Sequence, residues 1–188
     1  MTDTDSKREL RRKLRALRAE LARENPNAAH QAVAHFPRFS LQTVAGYHPL
    51  GDELSPVPMM QSLGSTGARL ALPVCLDKSS PLVFRLWSPG DALVPDALGV
   101  PSPEPTVTPI RPDMVILPLL AWDRTGGRLG QGGGHYDRTL ETLSSHGAIF
   151  ALGLAYAGQE VAEVPVEPHD QKLDAILTET GYIEIKKP

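Results

Sequence analysis

The sequence predicts an α/β fold, in which helices cover a mostly parallel sheet in a single three-layer α/β/α domain spanning residues 1–188. Apolar segments of strand length alternate with segments of helical periodicity, which is the pattern of βα units. The run MVILPLL, at 114–120, is apolar throughout, as in a parallel strand buried on both faces. A glycine-rich segment and then a helical segment follow it directly. A chain of 188 residues is long enough for one domain with its own core.

The first helix is predicted from about Lys7 to Arg23. Ser6 and Glu9 have the spacing of a capping box, and leucines then recur every three or four residues on one face. A row of cations borders this leucine stripe, where stems that lie along apolar surface aim the charged groups toward a site. A solvated basic face would explain the row equally well. The stripe is Leu10, Leu14, Leu17 and Leu21, and the row is Lys7, Arg11, Arg15 and Arg18.

The elements after this helix follow from the same periodicities and from turn residues. In order, we expect a helix ending near 36, a strand over 41–47, a helix over 56–63, strands over 69–74 and 82–87, a strand within 114–120, a helix over 136–147, and strands over 148–154, 173–178 and 181–185. Seven of the eighteen prolines lie between Pro89 and Pro112, which predicts a long loop with turns there.

Composition excludes several classes of protein. No stretch approaches the ~20 apolar residues of a membrane span, and the start of the chain lacks the apolar segment of a secretory signal. Cys75 is the only cysteine, so a disulfide within the chain is impossible, and its apolar surroundings indicate a packing role. These features predict a cytoplasmic protein that does not act in a membrane.

Positive charge is concentrated at the start of the chain. Residues 1–23 carry eight Lys or Arg against four Asp or Glu, although the net charge of the whole chain is −3. Such a cluster could meet nucleic acid, a membrane surface or a small polyanion. Aromatic residues make up only 5% of the chain and are not interleaved with the cluster, and the rest of the chain is acidic, which argues against nucleic acid.

Six of the nine residues from Gly126 to Gly134 are glycine, and this segment lies between a predicted strand and a predicted helix. Glycine lets an anion approach the backbone N–H groups at the positive end of the helix dipole. Arg128, with Arg124 and Arg138 beside it, adds donors that grip phosphate oxygens. The patterns GxxxxGK[ST] and GxGxxG are both absent. The segment therefore predicts a phosphate site without indicating either common nucleotide-binding fold.

Other polar residues near this segment are ambiguous. Asp137 and Asp170 could meet a phosphate-bound Mg²⁺, but Asp137 could instead start the next helix and Asp170 could hold its own turn. Tyr136 and Trp122 could be core, pocket wall or a stacking face. Glu53 is usually read as a loop carboxylate, and His169 as a surface histidine.

The run LPLLAWDRTGGRLGQGGGHYDRTL, at 117–140, resembles the signature of the 5-formyltetrahydrofolate cyclo-ligase family. The segments KRELR, YHPLGDELSP and VPVEPHDQKLDAILTE also agree with that family in order and spacing. The resemblance implies the fold of sugar-phosphate isomerases and CoA transferases. It implies a ligase of one-carbon metabolism that converts 5-formyltetrahydrofolate to 5,10-methenyltetrahydrofolate, with ATP as co-substrate and Mg²⁺ as cofactor, and releases ADP and phosphate. We expect a monomer or a weak dimer that binds neither nucleic acid nor membrane.

The resemblance also implies roles for individual residues. Arg128 and Tyr136 would be catalytic, Asp137 and Asp170 would hold Mg²⁺, and Glu53 would bind the folate. The residues expected to bind ATP are Lys7, Arg11, Arg128, Leu129, Gly130, Gln131, Gly132, Gly133, Gly134, His135 and Tyr136. Of these, Gln131, Gly132, Gly133, Gly134 and His135 would also contact the folate.

Two positions depart from the family pattern. Gln131 stands where tyrosine or a basic residue is common, and His135 replaces the first tyrosine of Tyr-Tyr-Asp. Two alternatives therefore stay open: an enzyme of the same fold with a changed substrate, and a nucleic-acid-binding regulatory relative.

Overall fold

The computed structural model describes residues 3–165, 167 and 169–186, with side chains from Lys7 onward. Within these ranges the helices are α1 (Asp3–Glu24), α2 (Ala28–His35), α3 (Val57–Ser65) and α4 (His135–Ser145), with a 3₁₀ turn at Ala157–Gln159. The strands are β1 (Thr43–Ala45), β2 (Arg69–Val74), β3 (Val83–Leu86), β4 (Val94–Pro95), β5 (Pro101–Ser102), β6 (Met114–Pro118), β7 (Ala121–Trp122), β8 (Arg128–Leu129), β9 (Phe150–Leu154), β10 (Ala175–Thr178) and β11 (Gly181–Glu184).

Seven of these strands form the central sheet, in the order β11-β10-β9-β6-β1-β2-β3. The five inner strands are parallel, and the edge strands β3 and β11 run antiparallel to their neighbours. The predicted α/β fold with a mostly parallel sheet is confirmed. The chain moves from β1 outward to β2 and β3, and then crosses to the other side of β1 for β6, β9 and β10. The strand order therefore reverses between β1 and β6.

The side chains of successive residues in the inner strands point to opposite faces of the sheet, as the two-residue period of a strand requires. Met114 and Ile116 of β6 pack in the cluster that includes α2 and α3. Val115 and Leu117 of the same strand pack in the cluster that includes Leu140 of α4. Helices therefore cover both faces, which is the three-layer arrangement expected from the βα alternation.

α1 uses its leucine stripe as predicted. Leu14 is buried against Leu120, Leu129 and Val164, and the neighbouring leucines of the stripe pack beside this group. The helix begins at Asp3, so Ser6 lies inside it, and the capping-box prediction is wrong. The side chain of Ser6 lies outside the described residues. None of the helices in the described part of the chain is long and apolar enough to cross a membrane.

The proline-rich stretch predicted as a long loop contains a two-stranded ribbon, β4–β5. Asp96 holds the connection, because its carboxylate accepts N–H groups from Leu98 at 2.8 Å and Val100 at 3.0 Å. The same carboxylate accepts the N–H of Cys75 at 2.9 Å, which ties the ribbon to the end of β2. Prolines are tolerated here because both strands of a two-stranded ribbon are edge strands. A proline, which has no N–H to donate, can then lie where no neighbouring strand needs a donor.

A second ribbon, β7–β8, follows β6 and includes the first part of the glycine-rich segment, so it corrects the predicted order of strand, glycine loop and helix. Gly126 and Gly127 belong to its turn. Gly126 has a φ of 85°, and a Cβ there would lie 2.9 Å from the carbonyl oxygen of Leu173. A Cβ on Gly127 would lie 2.5 Å from Oδ2 of Asp123. Two of the six glycines are therefore required by the hairpin.

Candidate active site

A cavity of about 780 Å³ opens at the carboxyl ends of the parallel strands, where the strand order reverses. Ligands of open α/β sheets bind at such a reversal because the loops that leave adjacent strands diverge there. The chain leaving β1 contributes Tyr47 and Glu53, the chain leaving β2 contributes Cys75, and Pro118 and Leu119 line the cavity at the end of β6.

The residues predicted to form the site all line this one cavity, although they come from four separate parts of the chain. They are Lys7 and Arg11 of α1, Glu53, Arg128 and Leu129 of β8, the loop of Gly130, Gln131, Gly132, Gly133 and Gly134, the first residues of α4, which are His135, Tyr136 and Asp137, and Asp170. The sequence predicts these residues as a set, and the fold brings that set together.

The cations of α1 divide between the cavity and solvent. Lys7 forms an ion pair with Glu167, and Nε of Arg11 donates to the carbonyl oxygen of Gly130 at 3.1 Å. Nε of Arg15 donates to Oε1 of Gln131 at 2.9 Å. The cations of the helix that lie outside the row, Arg8, Arg12, Lys13 and Arg23, are exposed. The row beside the leucine stripe is therefore directed at the glycine loop and its neighbours, rather than forming a wholly solvated basic face.

The pairing with Lys7 has an electrostatic consequence. It holds the pKa of the Glu167 carboxyl below its ordinary value, because the ammonium group donates a hydrogen bond to the carboxylate and attracts its charge. The carboxylate of Glu167 therefore pairs with Lys7, a cation that an anionic ligand would also bind.

The loop over 130–134 has the backbone of an anion-binding segment. Gly132 and Gly134 have φ values of 100° and 65°, which side chains with a Cβ rarely adopt. A Cβ on Gly134 would lie 2.7 Å from Nη1 of Arg138, which a side chain there would displace from its place beside the loop. α4 begins directly after Gly134, and the N–H groups of its first turn have no partners within the helix. The loop and the helix start together offer N–H donors and a positive dipole end to the cavity.

Arg128 joins three parts of the site. Its Nη2 donates to Oδ1 of Asp137 at 2.5 Å, and its Nη1 donates to the carbonyl oxygen of Gln171. The N–H of Gln171 in turn donates to Oδ1 of Asp137 at 3.0 Å. The side chain of Arg128 is 6% exposed, so this guanidinium is held rather than free to swing. β8, the start of α4 and the chain near 171 are thereby fixed to one another.

Glu53 is held from two sides. Its Oε2 accepts the N–H of Leu50 at 3.0 Å within the same turn. Its Oε1 lies 3.4 Å from Nη1 of Arg18, with the two side chains only 7% and 8% exposed. Arg18 also lines the cavity, and the sequence prediction did not assign it to the site. The sequence signal that could have assigned Arg18 to the site is its position as the fourth cation of the α1 row.

Two tyrosines lie near Glu53. Burial raises the pKa of Tyr136, and the nearby charge of Glu53 raises it further. The same two causes hold the pKa of Tyr47 well above its ordinary value, and its hydroxyl donates to the carbonyl oxygen of Leu54. Both phenols therefore stay neutral near pH 7, so in this site they can serve as hydrogen-bond donors rather than as bases.

The predicted metal ligands meet the cavity as separate carboxylates. Asp137 already accepts two hydrogen bonds, and Oδ2 of Asp170 accepts the N–H of Glu167 at 2.7 Å, which holds its own turn. The His169 side chain is 70% exposed. Among the described residues, no three His, Cys, Asp or Glu side chains form a ready metal cage. Two separate carboxylates fit Mg²⁺, which takes most of its ligands from phosphates and water.

Three residues considered beside the glycine segment do not line this cavity. Trp122 is core, where its Nε1 donates to the carbonyl oxygen of Tyr156 at 3.4 Å. Arg124 is exposed and pairs with Glu160, with Nε to Oε1 at 2.6 Å. Arg138 supports the glycine loop from behind, because its Nη2 donates to the carbonyl oxygen of Gly133 at 3.0 Å.

Comparison with known proteins gives a consistent result. The model of the 5-formyltetrahydrofolate cyclo-ligase family matches residues 3–179. The 5-formyltetrahydrofolate cyclo-ligase of Escherichia coli strain K12 is 35% identical over 175 residues, which cover 90% of this chain and 96% of that protein. The protein of that name from Mycolicibacterium smegmatis is 34% identical over 149 residues, which cover 75% of each chain. The NMR structure of Aquifex aeolicus 5,10-methenyltetrahydrofolate synthetase superposes with a TM-score of 0.78 at 25% identity, covering 97% of this chain and 94% of that one.

Proposed function

This chain belongs to the 5-formyltetrahydrofolate cyclo-ligase family, and from that membership we propose that it converts 5-formyltetrahydrofolate to 5,10-methenyltetrahydrofolate, using ATP and Mg²⁺ and releasing ADP and phosphate. The observation that carries the proposal is the convergence of the α1 cations, the glycine loop and Glu53 on one cavity. A volume of about 780 Å³ lies toward the large end of the range for ligand pockets, as two substrates that react with each other require.

The nucleotide belongs at the cationic side of the cavity. Lys7 and Arg11 reach it from α1, and Arg128 reaches it from β8. The N–H groups of the glycine loop and of the first turn of α4 complete a surface suited to phosphate oxygens. The ion pair between Lys7 and Glu167 is compatible with this role, because a bound triphosphate carries more negative charge than the single carboxylate that it would replace.

The folate belongs beside Glu53. The ring of a reduced pterin presents N–H donors along one edge, and an ionised carboxylate accepts two of them at once. Tyr47 and Tyr136 lie near Glu53 with neutral phenols, and the loop from Gln131 to His135 lines the same cavity. The formyl group could thereby be placed next to the terminal phosphate of the nucleotide.

Asp137 and Asp170 are the residues that would hold Mg²⁺, by the fit of two separate carboxylates described above. The ion would supply charge neutralisation for the phosphates of ATP during transfer. Because Oδ1 of Asp137 accepts Arg128 and Gln171, this residue would offer its other oxygen to the metal. Arg128 would then help to hold the orientation of that carboxylate as well as stabilising phosphoryl charge.

The proposed reaction needs placement and charge more than a protein nucleophile. The formyl oxygen attacks the terminal phosphorus and ADP leaves. N10 of the folate then attacks the activated carbon, the bond from that carbon to the phosphate oxygen breaks, and the N10 proton leaves with the phosphate as the five-membered ring closes. Arg128, Arg11 and the loop N–H groups would stabilise charge on the transferring phosphoryl group. Holding N10 against the carbon would supply the advantage of an intramolecular reaction. We therefore expect no covalent intermediate between enzyme and substrate.

The direct test is absorbance in the methenyl band after the purified protein is mixed with 5-formyltetrahydrofolate and MgATP. Absorbance should grow only when ATP and Mg²⁺ are both present, and phosphate should appear in equal amount. Absence of growth from folded protein that still binds ATP would contradict the proposed reaction and favour a changed substrate. Salt-sensitive RNA binding that is lost on reversing the charges of Arg8 and Arg12, without turnover, would favour the nucleic-acid-binding alternative.

A further inference from the structure

The cation row of α1 reaches both ends of the cavity. Arg18 follows Lys7 by eleven residues, which is about 16 Å along a helix axis. Lys7 and Arg11 contact Glu167 and the glycine loop, on the side assigned to the nucleotide. Arg18 instead contacts Glu53, on the side assigned to the folate. One rigid helix face therefore spans both subsites, and its fourth cation serves a different substrate from its first two.

The ion pair of Arg18 and Glu53 is more buried than the ion pair of Lys7 and Glu167 in the same row. Both side chains are less than one-tenth exposed, whereas the Glu167 partner of Lys7 is 47% exposed. Nε of Arg18 is also buried, with no hydrogen-bond partner among the described residues. Burying a guanidinium with an unsatisfied N–H lowers stability, so a need other than stability would explain why arginine stands here.

The need for a cation at this position comes from Glu53, the partner of Arg18. A buried carboxylate keeps its charge only if a cation or several donors compensate for the water that it has lost. The groups that face Glu53 are the guanidinium of Arg18 on α1, the N–H of Leu50 in its own turn, and the neutral phenols of Tyr47 and Tyr136. Arg18 is thus the positive charge paired with this carboxylate.

We propose that Arg18 is a positioning residue of the folate subsite, which holds the Glu53 carboxylate in the orientation that accepts the N–H donors of the pterin ring. This inference rests on the proposed function and extends it to a residue outside the expected binding set. Without Arg18, Oε1 of Glu53 loses the guanidinium that fixes it, so the carboxylate is no longer held in this orientation. Folate affinity then falls, while nucleotide affinity stays constant.

The test measures the Kd of 5-formyltetrahydrofolate by equilibrium dialysis, and the KM of ATP by turnover, for wild type, Arg18→Met and Arg18→Lys at neutral pH. Arg18→Met should weaken folate binding by roughly ten- to a hundredfold at neutral pH, as expected when one partner of a buried charge pair is removed. Arg18→Lys should recover part of that loss, because it restores the charge without the planar donor group. Arg12→Met is the matched control, since Arg12 pairs with Glu9 on the exposed side of the same helix.

A double-mutant cycle separates positioning from other roles. If Arg18 acts through Glu53, Arg18→Met should weaken folate binding much less in a Glu53→Gln background than in wild type. An equal loss in both backgrounds, or no change in folate Kd in either Arg18 variant, would overturn the inference. A wild-type protein that binds the folate without turning it over would contradict the proposed reaction alone. The dialysis would still decide the role of Arg18, and thermal melts of each variant would show that it is folded.

Discussion

His135 begins α4 and lines the cavity at a position where the resemblance leads one to expect tyrosine. Its Nδ1 lies 3.3 Å from Nη2 of Arg138, which donates to it in the tautomer that carries the ring proton on Nε2. Nη2 of Arg138 also donates to the carbonyl oxygen of Gly133. The contact between His135 and Arg138 therefore bears on the backbone that is proposed to bind phosphate.

His135→Tyr should therefore raise the KM of MgATP, because Arg138 loses one of the acceptors that hold it beside the glycine loop. Initial rates over a range of MgATP concentrations compare the two proteins. His146→Tyr is the control, because His146 is exposed at the far end of the same helix. A KM that is the same in His135→Tyr as in wild type would exclude the effect.

Single residues of the site differ in how far the sequence could predict them. Those inside the glycine signature were predicted together, because six glycines and a following helix leave few other uses for the segment. Arg18 was not, because the choice among four cations depends on which turn of α1 meets the turn around Glu53, and that is decided by packing. Arg124 and Arg138 lie close to the glycines in sequence but do not line the cavity.

The β7–β8 hairpin depends on one buried carboxylate. Oδ1 of Asp123 accepts the N–H groups of Thr125 at 2.8 Å and Gly127 at 3.1 Å, and Oδ2 accepts the N–H of Val164 at 2.8 Å. Burial raises the pKa of Asp123, but the hydrogen bonds from Val164, Thr125 and Gly127 outweigh it, so its pKa lies below the ordinary value. The folded-state pKa is thus below the unfolded one. The resulting stabilisation is present above the unfolded-state pKa and is lost as the pH falls through the folded one.

Asp123→Asn should lower the free energy of unfolding at pH 7 by about 1–3 kcal/mol, because an amide NH₂ then faces a backbone N–H that has lost its acceptor. The difference from wild type should shrink in acid, as the wild-type carboxylate also gains a proton. Urea unfolding at pH 7 and near pH 3, read by tryptophan fluorescence, measures both effects. Asp91→Asn, in an exposed turn, serves as the control. A difference that stays constant with pH would show that the charge of Asp123 does not stabilise the hairpin.

Regular elements were predicted where local pattern decides them. The strand over 69–74 was predicted with the bounds that it has, and the leucine stripe of α1 packs as its spacing indicates. The strand predicted over 41–47 is only Thr43–Ala45, because pairing with β2 and β6 ends there. The β7–β8 hairpin was missed because its turn is required by a contact with Leu173, almost fifty residues later, which no local pattern records.

Nucleotide binding should stabilise the whole molecule against unfolding, because the proposed phosphate ligands come from α1, β8 and the glycine loop. A ligand that binds only the folded state at a hundred times its Kd adds about 2.7 kcal/mol to the free energy of unfolding. For a domain of this size that corresponds to a rise in melting temperature of about 5–10 °C. Thermal melts with and without MgATP measure it.

The controls for this shift come from α1 itself. Arg11→Met should reduce the MgATP-dependent rise, since Arg11 lines the cavity, whereas Arg12→Met on the exposed face should retain it. A rise that is the same in Arg11→Met as in wild type would contradict the placement of phosphate beside this helix.

At the scale of the molecule, the parallel sheet and its helical layers followed from the alternation of segments, while the meeting of distant segments at one cavity did not. Lys7, Glu53 and Asp170 lie far apart in sequence, and only the strand reversal between β1 and β6 brings them together. The single domain over residues 1–188 stays a prediction.

The packing of α1 also dictates an order of assembly. Leu14 is buried by Leu120, Leu129 and Val164, all more than 100 residues later in the chain. On the ribosome, which adds about 5–20 residues per second, α1 emerges many seconds before these partners exist. During that interval the nascent chain carries an uncovered leucine stripe beside a basic face, a natural target for chaperones. The packing around Leu14 is complete only after Val164 has been synthesised, so any premature stop before Val164 yields a polypeptide without it.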